Sequence, residues 1–167
     1  MATNFSKKDM IKLQNLLRKS KKTITTAESC TGGLVASMIT KISGSSDIFN
    51  GSIVTYSNSI KNKELGVLNE SLDKFGAVSK QVVFEMLDGV LKKFEADFAI
   101  AISGVAGPNG GTKNKPVGTI VIGIASNKKI KKIKTYHLKG SRISIQKQSA
   151  NIALSKILKF VSKTIDN

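Results

Sequence analysis

The chain has 167 residues, a formal net charge of +16 and 40% hydrophobic residues. This length fits one domain, with a core large enough to need no disulfide or structural metal. The one cysteine, Cys30, excludes an internal disulfide and suits a reducing cytoplasm, and together with the one histidine, His137, it provides too few ligands for a Cys/His zinc site. A magnesium site made of carboxylates alone is still possible, but residues 98–165 contain no Asp or Glu, so the acids are badly placed for one. We expect no metal and no cofactor.

The chain alternates helix and strand patterns, and it contains no internal repeat and no Pro/Ser-rich linker. The predicted helices begin at the capping box Ser6-Lys-Lys-Asp9 (ending at about residue 20), at Leu34 (Leu34–Ile42), after the cap Ser79, and at about Ser144 (to Lys163). The predicted strands are Thr23–Ala27, Ser52–Ser57, Phe98–Ile102, Thr119–Ala125 and Ile130–Leu138. We expect a single α/β domain over residues 1–167, folded as a three-layer α/β/α sandwich with a mixed β-sheet.

Neither a signal peptide nor a membrane span is expected. The first residues lack a long apolar run, and no later stretch is apolar enough to cross a bilayer. The sequence therefore predicts a cytoplasmic protein with no membrane association.

Basic residues are concentrated in the second part of the chain. Residues 98–165 contain no Asp or Glu and 13 Lys and Arg, whereas the remaining residues contain 14 basic and 11 acidic side chains. Within this region, Lys128–Lys134 resembles a nucleic-acid-binding patch. An exposed edge strand kept soluble by lysines explains the same pattern and is the interpretation we favour. Nucleic-acid binding stays an alternative.

A glycine-rich segment follows the most buried predicted strand. Six of the 14 glycines and both prolines lie between Gly104 and Gly123. Ligands bind at the carboxyl ends of strands in open α/β sheets, and glycine backbone with the hydroxyls of Ser103 and Thr112 can bind an anion. A long loop that needs glycines for its turns is the alternative interpretation. The segment matches no nucleotide-binding fingerprint.

A hydroxyl-rich turn, Ala27–Gly33, follows the first predicted strand and precedes a helix. A nucleophile in this turn would lie close to free backbone N–H groups that can stabilise an oxyanion. Ser29, Cys30 and Thr31 are candidate nucleophiles. The alternative is that Ser29 or Thr31 serves as an ordinary helix cap.

A third polar segment, Thr55–Lys61, follows another predicted strand and contains Tyr56 and Lys61. A serine hydrolase needs a base, and His137 lies in the lysine-rich strand, far along the chain from the glycine-rich turns. A Ser-His-Asp triad is therefore not expected. A lysine that burial keeps neutral can serve as the base instead.

Several motifs occur in an order that resembles one known family, the CinA C-terminal domain family, over about residues 5–163. They are Thr26-Ala-Glu-Ser-Cys-Thr-Gly-Gly33, Gly44-Ser-Ser46, Val54-Thr-Tyr-Ser-Asn58 with Lys61, Gly76-Ala-Val-Ser79, and Ser103-Gly-Val-Ala-Gly-Pro-Asn-Gly-Gly-Thr112 with Lys115-Pro-Val-Gly118. The resemblance implies a stand-alone nicotinamide mononucleotide amidohydrolase, which releases nicotinate mononucleotide and ammonia. It also implies that Ser29 is the nucleophile and that Tyr56 and Lys61 activate it.

The remaining expected site residues surround this trio. The oxyanion turn is expected to consist of Cys30, Thr31, Gly32 and Gly33. The mononucleotide is expected to contact Gly44, Ser45, Ser46, Ser103, Gly104, Gly107, Gly110, Gly111, Thr112 and Arg142. Before the last helix the chain departs from the family pattern, with Ser141 in place of an Asp and Gln146 in place of a second Arg. This departure would weaken phosphate binding or change specificity.

Two other functions remain as alternatives: a catalytically silent nucleotide-binding or interaction module, and a basic nucleic-acid-binding protein. For the hydrolase, we expect a small-molecule mononucleotide substrate. A homodimer is expected from the apolar helix faces.

Overall fold

The computed structural model of the chain describes residues 4–166. Residues 1–3, on which the prediction of no signal peptide partly rests, and residue 167 lie outside the described residues. The helices are α1 (Lys7–Lys19), α2 (Leu34–Thr40), α3 (Asn58–Leu65), α4 (Asn69–Phe75), α5 (Lys80–Phe94) and α6 (Arg142–Ile165), with a 3₁₀ turn at Ser45–Asp47. The strands are β1 (Ile24–Glu28), β2 (Phe49–Val54), β3 (Phe98–Gly104), β4 (Thr119–Ser126) and β5 (Lys131–His137). Within this part of the chain, no helix combines the length and apolarity needed to cross a membrane.

The strands form one mixed sheet in the order β2-β1-β3-β4-β5. β1 runs parallel to β2 and β3, and β4 and β5 extend the sheet in antiparallel fashion. At the end of β1, Glu28 is paired with Val54 on one side and with Ile102 on the other. The carboxyl ends of β1, β2 and β3 therefore lie together, at what we call the carboxyl edge.

Helices cover both faces of the sheet, which confirms the predicted three-layer α/β/α sandwich. α1, α2 and α6 cover the face on which the central strands present isoleucines such as Ile100 and Ile122. α3, α4 and α5 cover the other face, where the strands present small residues such as Ala99, Ala101 and Gly123. The small side chains let α5 approach the sheet closely, with Val83 and Leu87 against Gly123.

The connections that leave β1 and β2 create a crevice at the carboxyl edge. The chain passes from β1 to β2 through α2 on one face, and from β2 to β3 through α3, α4 and α5 on the other. Strands whose connections diverge to opposite faces leave an opening at their carboxyl ends, where ligands bind in open α/β sheets. The hydroxyl-rich turn after β1 and the glycine-rich loop after β3 both border this opening.

Most element boundaries agree with the sequence predictions. The capping box is confirmed, because the Ser6 hydroxyl accepts from the Asp9 N–H at 3.1 Å while the Asp9 carboxylate accepts from the Ser6 N–H at 2.9 Å. The last helix begins at Arg142 rather than at about Ser144, because Ser141 caps it.

The predicted strand Ser52–Ser57 is wrong in its bounds. β2 spans Phe49–Val54, because its pairing with β1 stops where Val54 meets Glu28. Beyond that point Ser57 is already the cap of α3, and its hydroxyl accepts from the Ile60 N–H. The residues from Asn58 onward therefore belong to helix α3 and not to the end of a strand.

The sequence analysis missed two helices, α3 and α4. α3 buries only Lys61 and Leu65, so it has no apolar stripe at helical spacing. α4 is only seven residues long. Tertiary packing, not local pattern, stabilises both helices, and α3 is the one that carries Lys61.

The position of α3 depends on a glycine in α5. A methyl group at Gly89 would overlap the carbonyl oxygen of Leu65, the last residue of α3. The close approach of α5 to the end of α3 is therefore possible only without a side chain at this position.

We predict that Gly89→Ala lowers the free energy of unfolding. Alanine favours a helix interior by about 1 kcal/mol over glycine, but overpacking against rigid backbone typically costs about 1–3 kcal/mol. Chemical denaturation measures the balance, with Lys92→Ala on the exposed face of α5 as the control. A stabilised Gly89→Ala variant would contradict this view of the α3–α5 contact.

Candidate active site

The Lys61 amine lies beside the Ser29 hydroxyl. Ser29 follows β1, and Lys61 is in the first turn of α3. Lys61 Nζ is 3.1 Å from Ser29 Oγ and donates to the carbonyl oxygen of Thr55 at 2.8 Å. The structure thus brings together two residues that are 32 positions apart in the chain.

The surroundings of Lys61 favour a neutral amine. The side chain is almost fully buried, with 1% of its surface exposed. Burial lowers the pKa of Lys61 below its ordinary value of 10.5, and the electrostatic interaction with Cys30 offsets part of this effect. A neutral amine at hydrogen-bonding distance from a hydroxyl is able to accept its proton.

Cys30 is poorly suited to be the nucleophile. Burial raises the pKa of the Cys30 thiol to about 12. The reactive form of cysteine is the thiolate, which is scarce at neutral pH when the pKa is this high. Of the candidate nucleophiles in the turn, Ser29 is the one whose side chain contacts a base.

The Glu28 carboxylate holds the turn that carries Ser29. It is fully buried and accepts from the backbone N–H groups of Val35 and Ala36, at 3.0 Å and 2.9 Å, and from the Thr31 hydroxyl at 2.7 Å. The first N–H groups of α2 are therefore occupied by Glu28, and the Thr31 hydroxyl is used to fix the turn. Sequence analysis gave Glu28 no role.

The turn itself leaves backbone donors available. The Gly32 N–H donates to the Ser29 carbonyl at 3.0 Å, and both Gly32 and Gly33 have positive φ, which glycine adopts without strain. Among residues 4–166, no partner accepts from the backbone N–H groups of Thr31 and Gly33. These two groups are candidate oxyanion donors.

Tyr56 hydrogen-bonds to Arg142 rather than to Ser29. The Tyr56 hydroxyl accepts from Arg142 Nη2 at 2.6 Å, and the tyrosine is 60% exposed. Arg142 also donates to the carbonyl oxygen of Gly107 at 2.7 Å. In the described part of the chain, neither Ser29 nor Lys61 is a hydrogen-bond partner of Tyr56. Arg142 thus joins the segment after β2 to the glycine-rich loop.

The glycine-rich loop lies at the carboxyl edge, but several of its polar groups bond to the protein itself. The Ser103 hydroxyl donates to the Ala77 carbonyl at 2.7 Å, and the Thr112 hydroxyl accepts from the Lys115 N–H at 3.0 Å. Gly104 lies against β4, where a side chain would strike Thr119 and Ile120. The tip of the loop, which contains Gly110, Gly111 and Thr112, is exposed.

The structure does not bring Gly44, Ser45 and Ser46 to this site. They form the turn before β2 and lie at the amino ends of the strands, because Phe49 at the start of β2 pairs with Ile24 at the start of β1. The Gly44 carbonyl accepts from Arg18 Nη2 at 3.1 Å. The geometry of one chain thus gives no support to the prediction that these three residues contact the substrate.

Two contacts show where sequence reasoning stopped short. Glu28 stands at the end of a buried strand and precedes a helix whose cap, Gly33, has no side chain, and this combination is a readable signal for a remote cap. Gln146, noted only as a departure from the family pattern, donates to the Cys30 carbonyl at 2.9 Å.

Among residues 4–166, no group of three or more His, Cys, Asp or Glu side chains could hold a metal ion.

Comparisons with known proteins agree on one family. The family model described as CinA C-terminal domain matches residues 7–161. A CinA-like protein from Prochlorococcus marinus (strain MIT 9312) is 54% identical over 143 residues, which cover 84% of this chain and 34% of that protein. The chain spans about a third of the length of the curated relatives it matches.

Solved structures agree as well. A competence-damaged protein (CinA) superfamily protein from Klebsiella pneumoniae 700603 matches with a TM-score of 0.89 and 29% identity, covering 93% of this chain and 97% of that one. The competence/damage inducible protein CihA from Agrobacterium tumefaciens matches with a TM-score of 0.84 and 35% identity, covering 90% and 94%. The chain therefore belongs to the CinA C-terminal domain family.

Proposed function

We propose that the protein is an amidohydrolase in which Ser29 is the nucleophile and Lys61 is its base, and that it converts nicotinamide mononucleotide and water into nicotinate mononucleotide and ammonia. The observation that carries the reaction type is the buried Lys61 amine, 3.1 Å from the Ser29 hydroxyl. A lysine that burial keeps neutral is an established alternative to histidine in serine hydrolases.

In the first half of the proposed reaction, Lys61 Nζ accepts the proton of Ser29 as Ser29 Oγ bonds to the carboxamide carbon. The carbonyl oxygen becomes an oxyanion and accepts from the free N–H groups of the turn, an interaction worth about 3–4 kcal/mol per donor. The C–N bond then breaks, and the protonated Lys61 returns its proton to the departing ammonia. The product is an ester of Ser29.

In the second half, water attacks the ester and gives a proton to Lys61. The bond between the acyl carbon and Ser29 Oγ breaks, Ser29 recovers its proton from Lys61, and nicotinate mononucleotide leaves. Water is the only co-reactant, so the cycle needs no cofactor.

The choice of substrate depends on the family resemblance and is supported by charge. Arg142 lies at the carboxyl edge between Tyr56 and the Gly107 loop, where a guanidinium can pair with a phosphate. The net charge of +16 attracts anionic nucleotides. A cytoplasmic location and a homodimer belong to the same proposal.

Ammonia release from nicotinamide mononucleotide by the purified protein tests the proposal, with nicotinamide as a comparison substrate. A silent module would bind the mononucleotide without releasing ammonia. A nucleic-acid-binding protein would show neither property and would bind polynucleotides with a steep salt dependence. Either result would reject the proposed activity.

We predict that Ser29→Ala abolishes ammonia release, because the hydroxyl is the attacking group. Cys30→Ala, a similar truncation at the adjacent position, should keep most of the activity, since the Cys30 thiol stays protonated. Steady-state assays on both variants decide the matter. If Cys30→Ala lost the activity and Ser29→Ala kept it, the assignment of Ser29 as the nucleophile would be wrong.

The activity should depend on pH through Lys61. The reactive form is the neutral amine, so kcat/KM should rise with pH and level off around an apparent pKa below the ordinary lysine value of 10.5. Lys61→Arg should be inactive across the range, because a guanidinium stays protonated. A wild-type profile that still climbs at pH 10.5, or an active Lys61→Arg variant, would remove Lys61 as the base.

Tyr56→Phe tests whether the tyrosine activates Ser29, as the family resemblance implies, or holds Arg142. The Tyr56 hydroxyl hydrogen-bonds to Arg142 and not to the base, so its removal should raise KM by about 3- to 10-fold, the value of one ordinary hydrogen bond at an exposed position. The kcat should change little. A large fall in kcat at unchanged KM would instead place Tyr56 in the proton path.

A further inference from the structure

The side chain of Gln146 bonds to the turn that holds the nucleophile. Gln146 lies in the second turn of α6, and its Nε2 donates to the Cys30 carbonyl oxygen at 2.9 Å, across 116 positions of sequence. The contact is partly buried. Gln146 is the α6 side chain that bonds directly to the residue following Ser29.

The peptide unit that Gln146 holds also carries a free N–H. The Cys30 carbonyl belongs to the same planar unit as the Thr31 N–H, and in a trans peptide the two groups point in opposite directions. A bond to the carbonyl therefore fixes the direction of the N–H. A hydrogen bond at the carbonyl also polarises the amide and makes its N–H a stronger donor.

Gln146 and Lys61 reach the turn from opposite faces of the sheet. Gln146 approaches the turn from the face covered by α1, α2 and α6, whereas Lys61 approaches from the face covered by α3, α4 and α5. With the Cys30 carbonyl held toward α6, the Thr31 N–H is turned away from α6, toward the side from which Lys61 contacts Ser29.

We propose that Gln146 is a positioning residue that orients the Thr31 N–H as an oxyanion donor for the Ser29 reaction. Because this role concerns the reaction proposed above, it rests on Ser29 acting as a nucleophile. This role also explains the departure from the family pattern at position 146, because the Gln146 side-chain amide donates to the backbone carbonyl of Cys30.

The test compares Gln146→Met with Gln148→Met in the full chain. Methionine keeps the length of glutamine and removes the donor. Gln148 is two positions along the same helix, and its Nε2 donates to the backbone carbonyl of Lys139 at 2.8 Å and to the Ser144 hydroxyl at 3.0 Å, away from the turn. Both variants lose a hydrogen bond from a glutamine side chain to a backbone carbonyl. Gln146→Met loses it at the turn, and Gln148→Met loses it away from the turn.

The main readout is the rate at which an alkyl fluorophosphonate modifies Ser29. Ser29 Oγ bonds to phosphorus, fluoride leaves, the serine proton passes to Lys61, and the phosphoryl oxygen takes the oxyanion position. Removing one oxyanion donor outright costs about 100- to 1,000-fold in rate. Misorienting one should cost about 10- to 100-fold. Gln148→Met should react like the native protein.

Substrate kinetics and stability exclude a merely structural effect. For Gln146→Met we expect kcat with nicotinamide mononucleotide to fall with the labelling rate, while KM and Tm stay close to those of Gln148→Met. Equal labelling rates in the two variants would overturn the proposal. So would a rate loss accompanied by a matching loss of Tm.

A second variant provides a pH-dependent check. In Gln146→Glu the side chain donates only when protonated, so its labelling rate relative to the native protein should rise as pH falls. A constant ratio would overturn the proposal. If the native protein is labelled at Ser29 but releases no ammonia from nicotinamide mononucleotide, the substrate assignment fails and the role of Gln146 stands. Absence of labelling at Ser29 would overturn both.

Discussion

Burying the Lys61 amine costs free energy, because it loses water that two protein oxygens replace only in part. The Thr55 carbonyl and the Ser29 hydroxyl are these oxygens. Lysine is almost never fully buried without a specific partner, and among residues 4–166 no carboxylate forms an ion pair with Lys61. The site therefore holds a lysine whose charged form is disfavoured, which is the property a general base needs.

The fold brings this pair together from separate layers. β1 ends at Glu28 and delivers Ser29 to the carboxyl edge, α3 delivers Lys61 from one face, and α6 delivers Gln146 from the other. Each contact joins segments far apart in sequence, so each depends on tertiary packing rather than on local structure. The geometry that supports amide hydrolysis is thus a property of the whole domain.

The sequence predicted the layers and the trio Ser29, Tyr56 and Lys61 but not their arrangement. Strands such as β3 and β4 are read from continuous apolar runs, whereas α3 has no apolar stripe and forms through tertiary contacts. Motif order also cannot give spatial position. The turn at Gly44 carries a family motif yet lies at the opposite edge of the sheet from Ser29, because α2 spans the sheet between them.

The central claim, a neutral lysine at the nucleophile, can be measured without any substrate. Nuclear magnetic resonance of protein labelled with ¹³C at the lysine Cε reports the titration of each amine, and the Lys61 signal is identified by its absence from Lys61→Met. The account predicts that the pKa of Lys61 lies below the ordinary lysine value of 10.5. A Lys61 pKa at or above 10.5 would contradict it.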